Sequence, residues 1–244
     1  NAESKVVESL RPNGILLAQV TPRGGRISGS SSIVQLDAWN WEDAAVQVDD
    51  GVHLNWPSTY KTKYVSFGSV KISGPNEDYE KEISDLKDFL NGARAYVSST
   101  GHSEQNLPYQ AMKAVLDGES TLYVHAIREK EIRDAVELLD EMKIEKVVLV
   151  GANEAHKTID LLRAREIPVL VSRVHNLPLH EDDDYDRPYK NAAELVQNGI
   201  LVALENSGSM ERMNGRNLPF YAGTVASFGL SDEEALALIS LNPA

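Results

Sequence analysis

Between Thr121 and Ser172 the chain alternates short apolar runs with amphipathic ones, and few folds accommodate that rhythm. The runs Thr121 to His125, Lys146 to Val150 and Pro168 to Ser172 are continuous and apolar, which suits parallel strands buried on both faces. Between them, Arg128 to Met142 and Asn153 to Arg165 read as helices. The first of these carries Ile132, Val136, Leu139 and Met142 on one face and its charges opposite. The βαβ series continues through a long loop, Arg173 to Pro188, a helix from Tyr189 to Asn198 stopped by Gly199, and a strand from Ile200 to Leu204. The last element, Leu230 to Leu241, opens with Ser231 and Glu234 at capping-box spacing.

The first half carries weaker signals. Gly14 to Val20 reads as a strand, Ser32 to Leu36 as another, and the Gly/Ser-rich stretch from Gly24 to Ser32 as the turn between them. A helix from Glu77 to Ser98 places Ile83, Leu86, Leu90, Ala93 and Val97 on one face. No repeat, low-complexity tract or linker divides the sequence, so residues 1–244 are expected to form a single domain. A βα series of this length makes either an open doubly wound sheet or most of a (β/α)₈ barrel, which needs about 250 residues for all eight units.

Composition narrows the partners. Lys and Arg total 24 against 37 Asp and Glu, a net charge of −13 that repels phosphate backbones and anionic lipid surfaces. Neither nucleic acid nor a membrane is expected as a partner, which leaves a small-molecule substrate or ligand. With no Cys, disulfides, thiolate metal sites and cysteine nucleophiles are excluded, and any metal must be held by His, Asp or Glu. No apolar run reaches the roughly 18 residues of a spanning helix, and the start at Asn1 rather than Met suggests processing or truncation.

In either architecture reactive groups gather where the strands end and the βα loops converge. His125 ends its strand, His156 follows the next within Gly151 to Lys157, His175 follows the third, and Glu205 follows the fourth. Imidazole and carboxylate bind Zn²⁺ and its relatives, and a metal-bound water with a pKa near ~7 can attack an amide or ester carbonyl. Blander readings compete: His156 in the first turn of a helix would face solvent, and Glu181 to Asp186 lacks the glycine and closing Glu of a calcium loop. Gly24 and Gly25 beside Arg26 lack any phosphate-binding pattern, and no GxSxG elbow occurs. Trp39, Trp41, His53 and Trp56 lie in segments too polar for pure core, which favours a pocket wall for small-ligand binding, with His175 beside it.

Gly24 to Gly29 (GGRISG), Gln35 to Asp43 (QLDAWNWED), Asp50 to Pro57 (DGVHLNWP), Leu122 to Ala126 (LYVHA) and the closing Gly229 to Ala244 (GLSDEEALALISLNPA) together resemble the amidohydrolase superfamily, in its imidazolonepropionase-like, often secreted, branch. The resemblance implies a (β/α)₈ TIM-barrel-like fold, incomplete at the N-terminus and cut short inside the last family segment, as part of a longer chain. It also implies hydrolysis of non-peptide C–N bonds, amide or cyclic amide, by a divalent metal centre, with zinc first among the candidates. It assigns His125 as the metal ligand ending the fifth strand and His156 as the nearest candidate to the sixth-strand ligand. Glu205 is the only carboxylate near the eighth-strand aspartate, whose place Ser207 takes, and so is the candidate catalytic residue, a substitute base. No His-x-His motif precedes these elements, so the metal site is expected to be degenerate in this chain. A catalytically inactive, small-ligand-binding relative is the alternative. The resemblance further implies export to the periplasm or exterior, and the unclosed edges of an incomplete barrel imply either homo-oligomer formation across the gap or poor solubility.

Overall fold

The structure, a computed structural model, describes residues 4–65, 70–99, 105–207 and 213–244, with only the backbone for residues 62–65 and 70–73. A short helix, α1 (Lys5–Leu10), precedes strands β1 (Leu17–Val20) and β2 (Ile27–Gln35). A single helical turn, α2 (Trp41–Ala44), leads into the long strand β3 (Ala45–Asn55). Strands β4 (Tyr60–Val65) and β5 (Val70–Pro75) form a separate antiparallel hairpin. Helices α3 (Tyr79–Ser98), α4 (Leu107–Ala111) and α5 (Lys113–Leu116) then return the chain to the sheet. From there it alternates: β6 (Thr121–Ala126), α6 (Glu129–Glu141), β7 (Val147–Gly151), α7 (Ile159–Ala164), β8 (Val169–Ser172), α8 (Arg187–Gln197) and β9 (Val202–Glu205), ending in α9 (Leu218–Ala226) and α10 (Asp232–Ala237).

Seven strands make one sheet in the order β1-β2-β3-β6-β7-β8-β9. From β3 to β9 every pairing is parallel, whereas β1–β2 and β2–β3 are antiparallel. The sheet has two edges, β1 and β9, and is the half-barrel part of the expected architecture rather than a closed ring. Strand β6 shows how it is layered. Leu122, Val124 and Ala126 are almost fully buried, while the alternate residues Tyr123 and His125 are only partly so. Period-2 geometry sends these two sets to opposite faces. The first set joins the same core as Ile132, Ala135, Val136 and Leu139 of α6.

Several boundaries differ from the sequence expectation for identifiable reasons. The Gly/Ser stretch read as a turn is mostly β2, whose register against β3 slips at three places, and Gly29 adopts φ 120° at one of them. Strand β3 lacks an apolar signature in the sequence because its buried positions include Asp50 and His53, which look like surface residues without their partners. The helix expected over 153–165 splits into a 3₁₀ turn, Ala155–Thr158, and the shorter α7. Gly199 takes the left-handed conformation, φ 80°, that stops α8, and the Ser231–Glu234 capping box forms as expected.

Candidate functional site

Strand register sets the layers of the site. His53 pairs with Tyr123, two residues before the row Asn55–His125–Val150–Leu170–Ala203, and Ser172 pairs with Glu205 two residues beyond it. His125 thus lies at the carboxyl end of β6, and Asn55, Ser172 and Glu205 are the last residues of their strands. At this end of a parallel sheet, side chains open towards the loops.

The centre is a row of three side chains from three adjacent strands. His53 Nδ1 lies 2.8 Å from His125 Nε2, and His53 Nε2 lies 2.9 Å from Ser31 Oγ. The Ser31 hydroxyl donates to the carbonyl of Gly51 at 3.2 Å. A hydroxyl has one proton to give, so a single arrangement satisfies all three contacts. Ser31 accepts from His53 Nε2–H, His53 Nδ1 is the acceptor, and His125 Nε2–H donates to it. The lone pair of the row therefore resides on Nδ1 of His125. Burial lowers the pKa of His53 to about 4, the neighbouring His125 adds to the shift, and Asp50 opposes it. Burial also lowers that of His125. Both rings are neutral at pH 7.

Tyr123 supports this pair. Its ring stacks on His53 at 4.7 Å with planes 5° apart, and its hydroxyl donates to Asp50 Oδ2 at 3.2 Å. Gln19 donates to the same oxygen at 2.7 Å, while burial and Asp50 push the Tyr123 pKa up to about 12. The close approach of Tyr123 to β3 is possible only at a glycine. A Cβ on Gly51 would meet the Tyr123 ring at 2.4 Å and the Thr121 carbonyl at 2.7 Å.

Glu131, 2% exposed at the start of α6, braces the adjoining rim. It accepts from Thr59 N at 2.8 Å and from Ile127 N and Arg128 N at 3.1 and 3.2 Å. Burial alone would raise its pKa, but these bonds outweigh burial and hold it below the usual carboxylate value. Trp56 N donates to the His125 carbonyl at 3.0 Å, and the indole donates to Tyr79 Oη at 3.1 Å.

The other expected site residues scatter. Trp56 is 5% exposed and belongs to the core, while Trp39 and Trp41 stand in solvent at 91% and 71% exposure. His175 donates to Thr224 Oγ1 at 2.7 Å and meets Tyr221 edge-on, joining the loop after β8 to α9. Glu205 accepts from the Ser172 hydroxyl and from Ser207 N. His156 lies on the 3₁₀ turn after β7 and lines a separate cleft with Arg187 and Asn191. Among the described residues, no three His, Asp or Glu side chains converge as metal donors. The divalent metal implied by the resemblance therefore finds no complete ligand set on them. Ser31, Asp50 and Tyr123, which complete the histidine row, were not singled out by sequence. For Asp50 the signal was the polar, glycine-containing character of Asp50 to Asn55; Ser31 and Tyr123 lie outside that stretch.

No family model matches the sequence, and no curated protein does. Among solved structures, the chain is similar to an amidohydrolase from Thermotoga maritima MSB8, with a TM-score of 0.77 and 18% identity. The fold is amidohydrolase-like. The match covers 100% of this chain and 64% of that one, so the chain spans a little under two thirds of its neighbour's length.

Proposed function

We propose that this chain carries part of the catalytic face of a hydrolase acting on a non-peptide C–N bond, in an amide or cyclic amide. The observation that carries this reading is the Ser31–His53–His125 row, buried at Ser31 and His53 and partly exposed at His125, which puts a neutral imidazole lone pair at the carboxyl end of a parallel strand. The amidohydrolase-like fold and the sequence resemblance to the imidazolonepropionase-like branch support the same class.

In this reading His125 Nδ1 takes a proton from water as the water oxygen attacks the carbonyl carbon. The C–N bond then breaks, and the proton passes from His125 to the departing nitrogen. His53 Nδ1 accepts from His125 Nε2–H and so holds that ring, and Ser31 fixes the tautomer of His53. Tyr123 and Gly51 keep His53 in place.

The test is a screen of amides, lactams and cyclic ureides with the wild-type chain and His125→Ala, with metal content measured on both by elemental mass spectrometry. Hydrolysis that falls at least about a hundredfold in His125→Ala, in step with loss of a general base, is the expected result. Turnover unchanged by that substitution would overturn the assignment. Stoichiometric metal lost in His125→Ala would instead assign His125 as a ligand.

A further inference from the structure

The histidine row ends in an acceptor, and so does the side chain beside it. Asn55, the last residue of β3, is the register partner of His125 across the parallel β3–β6 pair, so the two side chains leave the same face of the sheet at one level, from strands about 4.8 Å apart. Asn55 Nδ2 donates to the Gly25 carbonyl at 2.9 Å and to Ser28 Oγ at 2.8 Å. A carbonyl only accepts, so the amide orientation is fixed, and both of its protons are spent. Oδ1 is left without a partner among the described residues. Neither this oxygen nor His125 Nδ1 is an enclosed orphan: both belong to partly buried residues and stay within reach of solvent.

The direction of the amide follows from the sheet order. Gly25 and Ser28 lie in β2 and the turn before it, and the order β2-β3-β6 puts them on the side of Asn55 away from His125. With Nδ2 turned to β2, the oxygen that diverges from it turns towards β6 and the loops. The backbone of Asn55 is held as well, its N–H donating to the Arg26 carbonyl at 2.8 Å and its carbonyl accepting from Arg26 Nη1 at 2.8 Å. Arg26 Nη2 donates to Glu82 Oε2 at 2.8 Å, so this guanidinium is already engaged on both sides.

Two neighbouring atoms that only accept restrict what they can hold. In the proposed hydrolysis His125 Nδ1 takes a proton from water, which leaves Asn55 Oδ1 as the acceptor for the substrate. A carboxylate or another anion meets lone pairs from both groups. An ester, or an amide with no hydrogen on nitrogen, offers Asn55 no proton. An amide that keeps its N–H donates it to Oδ1, and its carbonyl carbon is then one bond from the anchored nitrogen. The neutral amide of Asn55 has no basic lone pair to compete with His125 for the proton of water.

We infer that Asn55 is a specificity-determining residue of this site, selecting amides and lactams whose scissile nitrogen carries hydrogen over esters and N-alkylated amides. The inference rests on the hydrolase reading for its substrate class, but binding without turnover tests it.

The experiment is ligand-observed saturation-transfer NMR on the 244-residue chain with 2-pyrrolidone, N-methyl-2-pyrrolidone and γ-butyrolactone, which share one ring size. 2-Pyrrolidone is expected to bind about tenfold more tightly than the other two, the difference expected for one hydrogen bond whose acceptor is otherwise left unpaired. γ-Butyrolactone lacks the N–H without adding a methyl group, so it separates the lost hydrogen bond from crowding. In Asn55→Leu the preference is expected to vanish, whereas a role confined to holding Gly25 would weaken all three ligands alike and leave their ratios unchanged. Because that variant also releases Gly25, it can lose its fold. His125→Ala is then the second test, and the preference is expected to persist there, since the N–H is bound by Asn55 rather than by the imidazole.

Equal affinities of the folded wild-type chain for 2-pyrrolidone and γ-butyrolactone would overturn the inference. So would absence of saturable transfer to 2-pyrrolidone, a preference that survives Asn55→Leu, or one that disappears in His125→Ala. A 2-pyrrolidone preference without hydrolysis of any amide screened would remove the hydrolase reading and keep the selection by Asn55. His125-dependent hydrolysis with equal affinities for the three rings would do the reverse.

Discussion

The two ends of the sheet are built on different terms. From β6 to β9 the strands carry Leu122, Val124, Leu149, Val169, Val171, Val202 and Leu204, all within 5% exposure, so each is held by packing on its neighbours. Around β1 and β2 the apolar side chains are instead largely in water: Leu17, Val20, Val46 and Val48 are each more than half exposed. Beside Val52 and Leu54, that end also buries the polar side chains Ser31, Asp50 and His53, which hydrogen bonds hold in place. The parallel end is stabilised by removing apolar area from water, whereas the antiparallel end relies more on the hydrogen bonds of its buried polar side chains. The candidate site lies where the two meet, on β3 and β6.

The largest effect should come from the packed end. Leu122→Ala removes a fully buried side chain and is expected to cost about 2–5 kcal/mol in urea unfolding, while Leu17→Ala should stay within about 0.5 kcal/mol. Equal losses would erase the contrast.

Acid probes the polar end next. The His53 pKa is lowered in the folded state, so below its unfolded value near 6.5 the unfolded chain takes up a proton that the folded one refuses. The associated stability is complete above about pH 6.5 and drains away as pH falls towards 4. It amounts to at most about 3 kcal/mol and should be missing from the same titration of His53→Gln.

Gly51→Ala forces a methyl group against Tyr123 at the junction of the two ends and should cost about 1–3 kcal/mol, with the near-ultraviolet tyrosine signal perturbed. At the small end, Trp39→Ser, at a side chain 91% exposed, should change unfolding by no more than about 0.5 kcal/mol.

The same contrast explains what could be read in advance. The parallel half announces itself because burial on both faces writes continuous apolar runs, and because Gly199 and the Ser231–Glu234 pair punctuate its helices locally. Strand β3 does not, since Asp50 and His53 are buried only by virtue of Gln19, Ser31, Tyr123 and His125, which lie far away in sequence. His125 could be picked from its place at a strand end, but its partner could not. His156, chosen by proximity to the next strand end, follows the 3₁₀ turn away from the row and into the separate cleft.

Ser31 makes the row directional. Its hydroxyl touches nothing that reacts, yet by giving its proton to the Gly51 carbonyl it sets the orientation of two imidazoles in succession. Like a diode, the row has a forward sense, and a strand at the exposed end of the sheet sets it. Replacing that hydroxyl with hydrogen would leave every carbon of both rings in place and still let His53 turn its proton the other way, so which nitrogen of His125 carries the lone pair would no longer be defined.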